Sequence, residues 1–154
     1  MIRTAAVLEE RRIEKQNALK QEKQRVLICA GTGCVAGGSL RVYAELCKAV
    51  EAEGLAIAVD LEGEGHEEGV AIKKSGCHGF CEKGPLVRIE PTGILYVGVK
   101  PEDAEDIAKG LASGVPVDRL LYREPNTQEV FAREEDIPFY RQQKRIALAD
   151  CGVI

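Results

Sequence analysis

Residues 25–34 read RVLICAGTGC: Val26, Leu27 and Ile28 lead into Cys29, and a glycine-broken stretch then delivers a second thiol at Cys34. A short β-branched-rich run bounded by Gly is the signature of a strand that empties into a loop. Further along, VAIKKSGC (70–77) repeats the device. That extended run ends on Cys77, and Cys81 follows after His78, Gly79 and Phe80, with Gly84 and Pro85 closing the loop SGCHGFCEKGP (75–85). The chain therefore carries two pairs of thiols, one with four residues between them and one with three, each at a strand end.

Between and after these loops the periodicities alternate. Ser39 stands where a helix N-cap is expected, before LRVYAELCKAVEAE, in which Leu40, Tyr43, Leu46, Cys47 and Val50 recur at helical spacing. Gly54 supplies the stop. LAIAVDLEG (55–63) reads as a strand, followed by an acidic loop containing His66. PLVRIEPTGILYVGV (85–99) reads as two strands joined at Pro91, Thr92 and Gly93. Pro101 then opens a helix over PEDAEDIAKGLASG, with acids in the first turn where the helix dipole favours them. This order predicts an α/β fold with a thioredoxin-like sheet and flanking helices, and both cysteine loops at one rim of the sheet.

Length and composition set the boundaries. The 154 residues suit one domain with extensions, and 45% hydrophobic with 30% charged residues is an ordinary globular balance. Charge is uneven: +3 over residues 1–25, −6 over 26–114 and −1 over 115–154. Residues 1–24 are read as a helical extension, with a helix over roughly residues 3–23. Its apolar positions Ile2, Leu8, Ile13 and Leu19 form only a thin stripe. Residues 25–114 form the α/β domain. Residues 115–154 form an extended C-terminal linker in which IPFYRQQKRIAL has the apolar anchors of a segment docked on a larger body.

The net charge of −4 gives no basis for nucleic-acid binding. No stretch reaches the ~20 apolar residues of a membrane span, and the N-terminal segment, charged from Glu9 onward, lacks the uninterrupted apolar region of a secretory signal. No direct membrane insertion is expected, and a cytoplasmic location is. Thiols stay reduced there, and clustered cysteines more often bind metal or perform redox chemistry than form disulfides.

Four chemistries compete for the thiols. Disulfides are poorly suited to a chain that is neither small nor secreted. A thioredoxin-type dithiol usually has two residues between its cysteines, not three or four. Structural zinc accepts four thiolates, although the pairs stand far apart. A 2Fe–2S cluster takes two thiolates on each iron. Gly31, Gly33, Gly76 and Gly79 would let the backbone bend around such a group and aim N–H donors at its sulfurs. Thr32 could add a hydroxyl donor and Lys83 a positive charge. His78 could coordinate iron or, more simply, serve as a hydrogen-bonding loop residue. Cys47, on the helix stripe, reads as a buried hydrophobe, and Cys151 has no partner at ligand spacing. No Ser–His–Asp set or nucleotide-binding loop is evident, so no catalytic residue is assigned and it stays open whether the chain is itself an enzyme.

CAGTGC together with SGCHGFCEKGPLVRIEP resembles the thioredoxin-like 2Fe–2S ferredoxin family, whose pattern is C-x4-C, an interval of a few tens of residues, then C-x3-C; the interval here is 42 residues. The likeness spans roughly residues 25–113. Within that family GCHGFCEKGP, GVKPEDAEDI and DIPFYRQQKRIALADCGVI resemble the N-terminal domain of the flavin-carrying β subunit of NAD-dependent, electron-bifurcating iron-only hydrogenases, which is related to NADH dehydrogenase and formate dehydrogenase subunits. The resemblance implies one 2Fe–2S cluster, with Cys29 and Cys34 on one iron and Cys77 and Cys81 on the other. It also implies one-electron transfer in a multisubunit NAD(P)H-linked oxidoreductase, with the other subunits as partners. FMN, NAD and a 4Fe–4S cluster would belong to a downstream domain absent from this sequence, so the chain reads as the electron-carrying head of a longer flavoprotein. The alternative is a structural zinc module used in subunit assembly.

Overall fold

The computed structural model of the chain describes residues 4–21, 24–55, 69–146 and 151. Helix α1 (Ala5–Gln21) precedes β1 (Gln24–Cys29), a helical turn α2 (Thr32–Ala36) and α3 (Ser39–Ala52). Strands β2 (Val70–Ser75), β3 (Val87–Glu90) and β4 (Ile94–Tyr96) follow, then α4 (Ala104–Ser113). The C-terminal segment adds a small hairpin, β5 (Tyr122–Arg123) with β6 (Val130–Phe131), and the helical turn α5 (Pro138–Arg141).

The sheet runs β2-β1-β3-β4. β1 pairs parallel with β2, with Cys29 beside Ser75, and antiparallel with β3, with Ile28 beside Val87. That register explains the rim predicted from sequence. Because β1 and β2 point the same way, the chain leaves both strands at the same end, and Cys29 and the loop opening at Gly76 emerge side by side. Ala30 N–H donates to the Ser75 carbonyl at 3.0 Å, carrying the pairing one step into the loops.

Alternation along the strands separates two apolar layers. Val26, Ile28, Val70, Ile72, Val87, Ile89 and Tyr96 meet α3 and α4 in the main core, and Ile107, Leu46 and Val50 there have no exposed surface. On α3 the buried stripe is Val42, Leu46, Ala49 and Val50, while Tyr43 and Cys47 flank it. The sequence expectation placed Leu40 on this stripe, yet Leu40 is exposed, because the buried face turns one position further along the helix. Ser39 is likewise not a cap. Gly38, in the left-handed region at φ +95°, turns α2 directly into α3, and Ser39 becomes the first helical residue with its side chain buried.

The hairpin at Pro91–Gly93 and the helix after Pro101 stand where the sequence placed them. Gly93 adopts φ +72° and donates its N–H to Ile89 O at 2.8 Å. The expected strand over 55–63 and the acidic loop with His66 lie outside the described residues, apart from Leu55 and Gly69. The C-terminal segment is docked along β4: Leu95 N–H donates to Ala132 O and Val97 N–H to Leu120 O, both at 2.9 Å. Its own Leu120, Tyr122 and Ile137 are buried. Among the described residues no helix is long and apolar enough to cross a membrane.

Candidate metal centre

Cys29 and Cys34 are buried at the end of β1 and in α2, Cys77 is half-buried, and Cys81 is exposed at the surface. The two loops interlock through their glycines. A Cβ at Gly31 would lie 3.1 Å from Cys77 Sγ, one at Gly33 would lie 3.5 Å from Cys81 Sγ, and one at Gly84 would lie 2.7 Å from Cys34 Sγ. Each loop therefore presents bare backbone to a thiol of the other, and a side chain at Gly84, or to a lesser degree at Gly31, would press on sulfur.

The thiols also act on one another. Cys34 is pushed up to about 12, first by burial and then by its hydrogen bond with Cys29, with further contributions from the charges of Cys29 and Cys81; a hydrogen bond with the Leu86 backbone opposes this. Cys81 is raised chiefly by its hydrogen bond with Cys77 and next by that thiol's charge, with Cys29 adding to it. Cys34 and Cys81 therefore resist becoming thiolates unless positive charge is placed beside them. Among the described residues, no group of three or more His, Cys, Asp or Glu side chains is arranged to hold a metal ion. The closest partnerships are Cys29 with Cys34 and Cys77 with Cys81.

All four predicted ligands are thus brought together, and the two other cysteines stand apart. Cys47 packs at the edge of the main core beside Tyr43, and Cys151 is half-buried in the C-terminal segment. His78 is buried, and its Nε2 lies 2.8 Å from Ser75 Oγ, the hydrogen-bonding loop role rather than a ligand's. Burial, then the charges of Arg88 and Arg145, lower its pKa to about 4. Thr32 is exposed, and Lys83 is ion-paired with Glu82 at 3.0 Å.

Sequence reading did not single out the residues that fix the second loop. Phe80, between Cys77 and Cys81, is buried against Tyr122, Phe139 and Tyr140, with ring centroids 5.5, 4.2 and 5.6 Å away. The carbonyl of His78 accepts hydrogen bonds from Tyr140 Oη at 3.1 Å and Arg145 Nη2 at 2.6 Å. The available signal was the aromatic pair in IPFYRQQKR, whose rings have their partner in the one aromatic residue of the cysteine loop.

Comparison with known proteins finds iron–sulfur relatives. Over 51 residues the chain is 45% identical to a 2Fe-2S ferredoxin of Aquifex aeolicus, a stretch amounting to 32% of this chain and 46% of that protein. Over 99 residues it is 27% identical to a 2Fe-2S ferredoxin of Clostridium pasteurianum, covering 64% of this chain and 94% of that one. The crystal structure of the thioredoxin-like [2Fe-2S] ferredoxin from Aquifex aeolicus superposes with a TM-score of 0.53 at 26% identity, covering 67% of this chain and 99% of that one. No protein-family model matches. By sequence and by fold, the chain has homologues among the thioredoxin-like [2Fe-2S] ferredoxins.

Proposed function

We propose that this homologue of the thioredoxin-like ferredoxins holds one 2Fe–2S cluster through Cys29, Cys34, Cys77 and Cys81 and passes single electrons through it. The observation that carries the reading is the interlock of the two loops, in which Gly31 and Gly33 back the sulfurs of Cys77 and Cys81 while Gly84 backs that of Cys34. The donor set fits: four thiols in two pairs match two irons with two thiolates each. A bound cluster supplies a one-electron couple, and its cationic core offsets the repulsion among the ligands. The chain itself contributes ligand position, burial on the Cys29/Cys34 side and N–H donors such as that of Gly79, 3.3 Å from Cys77 Sγ.

In the finer reading the carrier works inside a cytoplasmic, multisubunit NAD(P)H-linked oxidoreductase of hydrogenase type, with the companion subunits as electron donor and acceptor. The support is the resemblance of the C-terminal segment, beginning at Asp136, to the lead-in of a flavin domain, which would carry the FMN, NAD and 4Fe–4S sites.

Anaerobic reconstitution with iron and sulfide tests the cluster. Equal amounts of iron and sulfide, visible absorption and an EPR signal only after reduction are expected, and Cys77→Ser should remove most of the iron. Stoichiometric zinc in a colourless protein would favour the structural-zinc alternative, and unchanged iron in Cys77→Ser would refute the ligand assignment. The finer reading is tested separately, by isolating the chain's native complex and assaying electron transfer to NAD(P)+ from hydrogen and from formate. Inactivity with both would remove the oxidoreductase context and leave the cluster standing.

A further inference from the structure

The peptide unit between His78 and Gly79 faces two ways. Its N–H donates to Cys77 Sγ at 3.3 Å. Its carbonyl accepts from Tyr140 Oη at 3.1 Å and from Arg145 Nη2 at 2.6 Å. Both donors come from the C-terminal segment, and the Arg145 guanidinium is 5.0 Å from the Tyr140 ring centroid. Glycine makes the approach possible: residue 79 adopts φ +80°, and a Cβ there would meet Arg145 Nη2 at 2.9 Å.

We propose that Tyr140 and Arg145 are positioning residues of the iron–sulfur centre, acting through the His78–Gly79 peptide to strengthen its N–H···S bond to Cys77 and so to raise the reduction potential. This rests on the cluster assignment above. Donors on an amide carbonyl draw electron density through the planar C–N unit, and the N–H at its far end becomes a better donor. The bond from arginine is charge-assisted, and its charge is permanent. A stronger hydrogen bond to a ligand sulfur withdraws negative charge and favours the reduced cluster, which carries one more electron. Tyr140 is held for this task by its edge-on contact with Phe80 (interplanar angle 84°), so the ring that packs the loop also delivers the hydroxyl that polarises it.

The test compares Tyr140→Phe, Arg145→Gln and Arg145→Lys with the wild-type full chain. Arg133→Gln serves as a charge control, since that side chain pairs with Glu135. Potentials come from EPR-monitored redox titration, and iron–cysteine stretching frequencies from resonance Raman spectra. The inference expects a lower midpoint in Tyr140→Phe, a lower one still in Arg145→Gln and an intermediate one in Arg145→Lys. Shifted iron–cysteine bands should accompany these changes, and Arg133→Gln should behave as wild type. Unchanged potentials and bands would overturn it, as would an equal shift in Arg133→Gln. A folded Tyr140→Phe protein that takes up no iron would overturn it too, because the role assigned is tuning and not assembly. Hydrogen exchange at the Gly79 amide in cluster-free protein separates this inference from the cluster assignment. Exchange should be several-fold faster in Tyr140→Phe than in wild type, and equal rates would refute the clamp whatever metal the protein binds.

Discussion

Phe80 lies flat on Phe139, with 4.2 Å between ring centroids and 9° between ring planes. A residue enclosed by two candidate ligands is thereby stacked on the C-terminal segment. Phe80 is 6% exposed and Phe139 is 38% exposed, so the two rings contribute unequally.

Phe80→Ala should therefore lower the stability of the cluster-free protein by about 3–5 kcal/mol, the usual cost of deleting a buried aromatic ring. Phe139→Ala should cost about 1 kcal/mol, mainly the value of the aromatic pair. Urea denaturation followed by circular dichroism measures both, and equal losses would contradict the stated asymmetry of burial.

Gly84 has φ −70° and ψ 162°, which any residue can adopt, so its demand for glycine is one of space, set first by Cys34 Sγ at 2.7 Å from a Cβ placed there and then by the Cys81 carbonyl oxygen at 3.3 Å. Gly84→Ala is expected to lose most of the reconstituted iron while folding normally. Gly33→Ala, whose Cβ would sit 3.3 Å from the nearest atom of Cys81, should retain most of it. Iron per chain after reconstitution decides the matter, and full iron in Gly84→Ala would mean that the thiol is free to move aside.

The phenol of Tyr96 is buried, and its oxygen accepts the Val117 N–H at 3.2 Å. Burial is the main cause that raises its pKa above the ordinary value of 10, and the Val117 N–H opposes it. The unfolded chain therefore gives up this proton first. The associated stability is complete below about pH 10 and is lost as pH rises through the folded-state value. Tyr96→Phe should be less stable near neutrality by about 0.5–1.5 kcal/mol, through the unmatched Val117 N–H, and should have a flatter alkaline limb. Denaturation midpoints from pH 8 upward test this, and parallel limbs would exclude Tyr96 as their source.

Asp103 closes the turn ahead of α4 by accepting the Lys100 N–H at 2.7 Å, and it also pairs with Arg119. Asp103→Ala should cost about 1–2 kcal/mol, the range for loss of a helix-start cap. Asp103→Asn keeps an acceptor for the Lys100 N–H and should cost less. Thermal melts of the two variants rank them, and the reverse order would place the Arg119 ion pair above the cap in importance.

The local chemistry of this chain was open to sequence reading. Cys29 ends a strand rich in Val and Ile and Cys77 follows one that opens with Val70 and Ile72, so the cysteine loops' place at strand ends follows from propensity, and the Pro91–Gly93 turn and the helix after Pro101 carry their own start signals. What was not legible depends on contacts across distance. Ser39 has a capping side chain, yet Gly38 takes the turn and draws Ser39 into the helix. Thr32–Ala36 reads as loop because five residues that include Gly33 and are flanked by Gly31 and Gly37 give little helical signal, although α2 is what carries Cys34 inward. The clamp of Tyr140 and Arg145 on the His78 carbonyl has no local pattern at all, since a backbone oxygen leaves no mark in a sequence.

The pairing of residues 120–134 with β4 has a further effect. An uncovered outer strand offers free N–H and C=O groups to any other extended chain, and proteins guard such margins against self-association. Here the Leu95 and Val97 N–H groups are already taken by Ala132 and Leu120. A chain cut after Gly114 would keep all four clustered cysteines and lose this cover, and its hazard would be aggregation through the bared margin.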